Sequence, residues 1–138
     1  MYGTILVTLE GTPTDRAIIE HVKELAHLAG SRVVLLHVAD GWAARTYGSD
    51  AVSPEIAEDT SYLRGVREEF EAAGIAAETE LAFGDPASEI ISWVEQKGCD
   101  LVAMSTHGHR FVKDMFLGTT VSQVRHSVDV PVLLLRAK

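Results

Sequence analysis

Hydroxyl-bearing residues and glycines are concentrated in one segment of the last third of the chain, between an apolar run and a helical pattern. The residues in it that could carry chemistry are Ser105, Thr106, His107, Gly108, His109, Arg110, Gly118, Thr119 and Thr120. Glycine lets a backbone approach a phosphate closely, and threonine hydroxyls and the free N–H groups of a helix's first turn bind anions. The segment is therefore suited to cradling a phosphate, although glycine at turns and threonine at helix starts are also ordinary structural features.

Other kinds of site are less well supported by the residues. The chain contains no G-x-x-x-x-G-K-[ST], and no G-x-G-x-x-G follows its first apolar run. His107 and His109 could form half of a metal site, but two imidazoles in a loop are more often hydrogen-bond donors, so no metal site is assigned. No nucleophile is placed beside a base, and we therefore assign no catalytic residue.

Composition narrows the class of protein. The 138 residues are 46% hydrophobic and 23% charged, which is typical of one globular domain over residues 1–138 and not of a disordered chain. Twenty acidic and twelve basic residues give a formal net charge of -8 at pH 7, which disfavours nucleic acid as a partner. No apolar run could cross a bilayer and no secretory signal is visible, so we predict a cytoplasmic protein without a membrane partner.

The elements that must position these residues follow a β-α-β-α-β-α-β-α-β pattern of short apolar runs and longer amphipathic stretches. Four runs are apolar throughout, as strands are when helices cover both faces of a parallel sheet. They are Ile5–Val7, Val33–Leu36, Leu101–Met104 and Val132–Leu135. The run Ala77–Phe83 instead alternates between apolar and mainly polar residues, which predicts a half-solvated edge strand.

Proline and glycine mark where the helices should begin and end. Thr12 precedes Pro13, and Asp15 can reach back from the third helical position, which is a helix-start pattern. The same start recurs twice, and glycines suited to the left-handed position follow three of the helices. These positions are Ser53-Pro54 and Asp85-Pro86 for the starts, and Gly30, Gly74 and Gly98 for the ends. A last helix is predicted from about Thr119 to Val128.

Three further features are given structural interpretations. Residues 39–52 hold glycine and serine breaks and are predicted to form a loop above the sheet. His37 lies inside an apolar strand, so we expect a sheet histidine whose hydrogen bonds are satisfied. Cys99 is expected to be a small buried residue at the entrance of a strand.

A parallel sheet of five strands with right-handed crossovers carries helices on both faces only if the winding direction reverses once. The strand order 3-2-1-4-5 meets this condition and leaves strand three at an edge, which predicts a doubly wound, Rossmann-like α/β fold. Ligands of such sheets bind at the carboxyl ends of the strands that flank the reversal. We therefore expect Thr8–Thr12 and Ser105–Arg110 to converge between strands one and four.

The whole-chain pattern resembles the universal stress protein family. Its ATP-binding members carry glycine, two residues, glycine, nine residues, glycine and then Ser or Thr after strand four, and this spacing runs here from Ser105 to Thr119. Two further segments also resemble the family. The first is Ile5–Val7 with the Glu10-Gly11-Thr12 that comes after it, and the second is the closing segment Thr120–Leu134. Two residues depart from it: Ser105 replaces the motif's first glycine, and Glu10 replaces an aspartate that lies near adenine and ribose.

The resemblance implies a site for ATP or another adenine nucleotide, with or without a divalent cation, in a stress-response regulatory protein that acts on an unidentified protein partner. Thr8 and Val38 would flank the adenine, and Glu10 would accept a hydrogen bond from an amino or hydroxyl group. The segment Ser105–Arg110 would wrap the phosphates, and Gly118–Thr120 would cap the last of them at a helix N-terminus.

Two other functions stay open at this point. A nucleotide-free interaction dimer is favoured by Ser105, and a slow metal-dependent ATPase would be at most a weak enzyme. Strand five, Val130 to Arg136, is apolar on both faces and lies at a sheet edge, which invites pairing. We therefore predict a two-fold homodimer through antiparallel pairing of strand five, a mode that the resemblance also implies.

Overall fold

The computed structural model describes residues 1–39, 54–106 and 118–137 of the chain. Within those ranges five strands alternate with four α-helices, in the order that the sequence predicts. The strands are β1 (Thr4–Thr8), β2 (Arg32–Ala39), β3 (Ala77–Phe83), β4 (Leu101–Thr106) and β5 (Val132–Arg136). The helices are α1 (Arg16–Ala29), α2 (Pro54–Ala72), α3 (Pro86–Lys97) and α4 (Gly118–Ser127), and a short 3-10 turn (Pro13–Asp15) precedes α1.

The strands form one parallel sheet in the order β3-β2-β1-β4-β5, which confirms the predicted doubly wound α/β fold. The winding direction reverses between β1 and β4, which are neighbours in the sheet. Thr8 lies opposite Leu36 of β2, and Ser105 lies opposite Leu135 of β5. The carboxyl ends of β1 and β4 therefore lie side by side where sheets of this kind bind ligands.

Two apolar layers hold the helices against the two faces of the sheet. α1 and α2 cover one face, where Ile5 of β1 belongs to the same buried cluster as Phe70. α3 and α4 cover the other face, where Leu6 clusters with Ile90 and Val124. All five of these side chains are completely buried, and each contributes about 1.5 to 3 kcal/mol through burial. Adjacent residues of β1 thus serve opposite layers, which explains why its sequence is apolar throughout.

The predicted helix signals are confirmed at several helix ends. Gly30 and Gly98 adopt left-handed φ values of +69° and +60° directly after α1 and α3, and Gly74 has φ +81° shortly after α2. Asp85 caps α3, because its carboxylate accepts a hydrogen bond from the Ser88 N–H at 3.0 Å. None of the helices within the described ranges combines the length and the apolar character needed to span a bilayer.

Some boundaries differ from those that the sequence predicts. β5 begins at Val132 rather than Val130, because Pro131 has no N–H to donate to the sheet. β2 continues to Ala39, which was expected to begin a loop, and the rest of that loop, residues 40–52, lies outside the described residues. The last helix runs one residue earlier at each end than predicted. These shifts leave the topology unchanged.

β3 lies at one edge of the sheet, as its alternating pattern predicts, and most of its residues are half-buried. Ala82 is an exception, because it packs into the layer of α3 although it belongs to the mainly polar side of the alternation. The Lys97 ammonium lies 3.4 Å from Glu78 Oε1 and 3.0 Å from Glu80 Oε2, and 5.5 Å from the centre of the Trp93 ring. Charged groups therefore line this edge.

Candidate functional site

Two buried hydroxyl groups mark the point where the sheet reverses its winding direction. Thr8 is the last residue of β1 and is 2% exposed, and Ser105, near the end of β4, is 3% exposed. Neither hydroxyl has a hydrogen-bond partner within the described ranges. A buried polar group without a partner costs about 1 to 3 kcal/mol. Two such groups at neighbouring strand ends therefore require partners from beyond the described residues, either from the rest of the chain or from a ligand.

The two hydroxyls lie on different faces of the sheet, because side chains alternate along a strand. Thr8 shares the face of Leu6, which α3 and α4 cover, and Val38 of β2 packs in the same layer. Ser105 lies on the opposite face, since its β5 neighbour Leu135 packs in the layer of α1 and α2. The structure thus places Thr8 and Val38 on the same face of the sheet. A ligand that contacts both hydroxyls, those of Thr8 and Ser105, must straddle the carboxyl edge of the sheet.

The segment after β1 is held by a buried carboxylate, that of Asp15. Asp15 is completely buried, and its Oδ1 and Oδ2 accept hydrogen bonds from the Glu10 N–H at 3.0 and 3.1 Å. Oδ2 also accepts from the Gly11 N–H at 2.9 Å and from the Tyr62 hydroxyl at 2.6 Å. The helix-start pattern predicts that Asp15 reaches back to Thr12. In the structure its carboxylate instead reaches past Thr12 to Glu10 and Gly11. Glu10, only 8% exposed, has its backbone fixed by this contact.

Tyr62 remains a hydrogen-bond donor in this contact. Its burial on α2, together with the hydrogen bond to Asp15, raises the pKa of Tyr62 far above its ordinary value of 10. The phenol accordingly keeps its proton throughout the physiological pH range and donates to the carboxylate. This bond joins α2 to the segment that follows β1.

A second pair, His37 and Asp59, is half-buried and lies directly beneath Gly11. His37 Nδ1 donates to the Leu9 carbonyl at 2.8 Å, and its Nε2 lies 3.4 Å from Asp59 Oδ2. The expectation that His37 is a satisfied sheet histidine is confirmed. Burial raises the pKa of Asp59, and the attraction of His37 offsets only part of that shift. Gly11 has φ +80°, and a Cβ there would lie 3.8 Å from Asp59 Oδ1, so the backbone passes close over the pair.

The amino end of α4 lies on the same face as Thr8. The helix begins at Gly118, one residue before the predicted start, and its Val124 packs into the layer that contains Leu6. Thr119 is exposed and Thr120 is half-buried. The first N–H groups of a helix have no partners within the helix, so this end is suited to an anion.

Several residues that the sequence assigns to the site lie outside the described residues. They are His107, Gly108, His109 and Arg110. Among the residues that the structure describes, no three His, Cys, Asp or Glu side chains come together as metal ligands would. Cys99 is buried, as expected, and burial raises the pKa of its thiol to about 11, which leaves little of the nucleophilic thiolate at neutral pH.

Sequence reasoning missed the role of Asp15 and missed Tyr62 altogether. The third position of the helix-start pattern was a signal that Asp15 would bind backbone N–H groups, but it indicated the wrong partners. Tyr62 carries no such signal, because it is 47 residues from Asp15 along the chain. Only the packing of α2 brings its hydroxyl to the carboxylate.

Comparisons with known proteins agree with this architecture. The sequence model described as the universal stress protein family matches residues 1–136. Universal stress protein MJ0577 of Methanocaldococcus jannaschii is 26% identical over an alignment that covers 100% of this chain and 97% of that protein. The solved structure of MJ0577 has a TM-score of 0.82 and covers 100% of this chain and 98% of its own.

Two further solved structures contain adenine nucleotides. A universal stress protein in complex with cAMP is 15% identical, with a TM-score of 0.75 and coverage of 99% of both chains. The universal stress protein from Archaeoglobus fulgidus in complex with dAMP is 18% identical, with a TM-score of 0.72 and coverage of 96% of this chain and 97% of its own. At these identities the similarity establishes a shared fold.

Proposed function

This chain belongs to the universal stress protein family, and from that premise we propose that it binds an adenine nucleotide, with ATP as the first candidate, as a stress-response regulatory protein. Two proteins of the same fold were solved with cAMP and with dAMP, which supports an adenine nucleotide as the class of ligand. The protein partner that such a regulator acts on stays unidentified, and the cytoplasmic location stays a prediction.

The observation that carries this proposal is the pair of buried hydroxyls, Thr8 and Ser105, without partners among the described residues at the winding reversal. A nucleotide is long enough to straddle the sheet edge and presents hydrogen-bonding groups along its length. Val38, in the same layer as Thr8, supplies an apolar surface for a base. The amino end of α4 on that face supplies N–H groups for an anion.

In the proposed site, different residues contact the adenosine and the phosphates of the nucleotide. Thr8, Val38 and Glu10 contact the adenosine. The segment from Ser105 through Thr106 to Arg110 contacts the phosphates, and Gly118–Thr120 caps the last of them. A divalent cation would enter with the phosphates as their counter-ion, and we assign no protein ligand to it.

Titration calorimetry with ATP, AMP and pyrophosphate tests the proposal. Thr8→Val removes the hydroxyl with little change of shape, so ATP should bind about tenfold more weakly, which corresponds to one lost hydrogen bond of about 1.4 kcal/mol. Thr4→Val is the matched control at the other end of β1 and should leave ATP affinity unchanged. If the parent protein binds none of the three ligands, the nucleotide proposal is wrong and the interaction dimer takes its place.

We also propose that the protein is a homodimer paired through β5. This strand forms the second edge of the sheet, and Leu134 on it is 37% exposed, which is unusual for a large apolar residue in a strand. Leu134→Lys should therefore lower the mass measured by sedimentation equilibrium toward that of a monomer. Leu28→Lys changes another exposed leucine, on α1, and should leave the mass unchanged. An unchanged dimer in Leu134→Lys would place the interface elsewhere.

A further inference from the structure

Asp15 binds no part of the nucleotide in the site proposed above, yet it holds the backbone of the residue that does. We propose that Asp15 is the positioning residue that fixes Glu10 for recognition of the adenosine half of the nucleotide. This inference rests on the proposed nucleotide function. It adds to the residues that carry the family resemblance a buried carboxylate five residues after Glu10.

The backbone around Glu10 is anchored on both sides. The Leu9 N–H donates to the Leu36 carbonyl at 2.8 Å, and the Leu9 carbonyl accepts from His37 at 2.8 Å. Asp15 then binds the next two N–H groups in sequence, those of Glu10 and Gly11. Gly11 has φ +80°, so the chain turns sharply after its N–H group, and Asp15, four residues later, reaches back to both N–H groups. The Cα of Glu10 consequently has little freedom to move.

A carboxylate suits this position better than any neutral side chain. It accepts hydrogen bonds from two backbone N–H groups and from the Tyr62 hydroxyl at once, and bonds to a charged acceptor are stronger than neutral ones. Asp15 is completely buried, so its charge is tolerated only when that set of donors is in place. The donor set therefore has one preferred arrangement, and binding groups need placement to within about 0.5 Å to function well.

The substitution Asp15→Asn separates this role from the fold. The amide has one acceptor oxygen, so in either orientation its NH2 group faces a backbone N–H that the carboxylate formerly bound. We expect ATP and AMP to bind at least tenfold more weakly in calorimetric titration. Pyrophosphate, which needs only the phosphate half of the site, should bind within twofold of the parent. The ratio of the two affinities is a readout that a general loss of stability would not move.

Asp100→Asn is the matched control. Asp100 also accepts hydrogen bonds from two successive backbone N–H groups, those of Gly3 and Thr4, but at the opposite end of β1. It should lower stability without changing the ratio of ATP to pyrophosphate affinity. Tyr62→Phe is a milder variant that leaves the backbone contacts of Asp15 in place, and we expect ATP to bind about threefold more weakly with pyrophosphate unchanged.

The outcomes distinguish the inference from the function on which it rests. If the parent binds ATP and Asp15→Asn either keeps the parent's affinities or loses ATP and pyrophosphate equally, the positioning role is overturned and the nucleotide function stands. If the parent binds no nucleotide, both are overturned. If circular dichroism shows that Asp15→Asn does not fold, the ratio of ATP to pyrophosphate affinity in Tyr62→Phe tests the positioning role instead. Amide exchange of Glu10 and Gly11 in the parent must also be slow, and fast exchange there would overturn the anchoring itself.

Discussion

The two ends of β1 contain the same parts, a threonine and an aspartate that binds backbone N–H groups, but they are completed differently. At the amino end the Thr4 hydroxyl accepts a hydrogen bond from Arg32 Nε at 3.1 Å, and Asp100 accepts from Gly3 and Thr4. At the carboxyl end the Thr8 hydroxyl has no partner in the part of the chain that the structure describes. The aspartate at the carboxyl end, Asp15, binds the N–H groups of Glu10 and Gly11, which follow the strand.

Burial separates the two ends further. Asp100 is exposed to solvent, so water can replace it, whereas Asp15 is completely buried and bonded to Tyr62 as well. The amino end is thus an ordinary strand start whose polar groups are satisfied. The carboxyl end combines an anchored backbone with a hydroxyl that has no partner among the described residues, and the proposed nucleotide site depends on this combination.

The largest expected difference between the ends is in the free energy of unfolding when the aspartates are truncated. Asp15→Ala leaves the buried Glu10 N–H, the Gly11 N–H and the Tyr62 hydroxyl without their acceptor, and should lower the free energy of unfolding by about 3 kcal/mol. Asp100→Ala exposes its two N–H groups to water and should cost about 1 kcal/mol. Urea unfolding at pH 7 measures both. Equal losses would remove the distinction between the two ends.

The threonines should respond with opposite signs. Thr8→Val removes a buried hydroxyl without a described partner and should raise the free energy of unfolding by about 1 kcal/mol in the absence of ligand. Thr4→Val removes the acceptor of Arg32 and should lower it by about 1 kcal/mol. Thermal unfolding of the two variants beside the parent checks the prediction. A loss of stability in Thr8→Val would mean that its hydroxyl is satisfied in the free protein.

The smallest expected effect is on how the free energy of unfolding depends on pH at the amino end of β1. Burial alone would raise the pKa of Asp100, but hydrogen bonds from the Gly3 and Thr4 N–H groups outweigh it and hold that pKa below its usual range. Its contribution is therefore complete above the unfolded pKa of about 3.9 and is lost as the pH falls through the folded value. At pH 7 the free energy of unfolding of Asp100→Asn should be lower than that of the parent by at most about 1 kcal/mol. This difference should become smaller below about pH 4. Urea unfolding at pH 7, 4 and 3 measures that difference, and a constant difference would contradict the prediction.

The fold could be predicted from the sequence because its signals are local. Apolar runs without alternation indicate buried parallel strands, and the alternation of Ala77–Phe83 indicates an edge, which together leave few possible strand orders. Gly30 and Gly98 end helices through their own backbone conformation. Each of these signals depends on a few neighbouring residues and on no distant contact.

The site could be predicted only in outline. The positions of Thr8 and Ser105 at strand ends follow from topology, but the faces on which they lie depend on the register with β5 and on the packing of each layer. Asp15 binds the N–H groups of Glu10 and Gly11 because the chain turns after Gly11 and brings the carboxylate back to them, a geometry that residue type alone does not determine. The contacts that distant elements make to the site therefore leave no signal in a local sequence pattern.

In the dimer proposed above, the two edges of the sheet would limit how large the assembly can grow. A pair joined along β5 would have β3 at both outer edges, and there Glu78 and Glu80, paired with Lys97, would meet the same charges on any further copy. Like charges facing each other oppose strand addition. In the proposed dimer these charges would oppose the addition of a third chain, so pairing through β5 would not extend into a fibre.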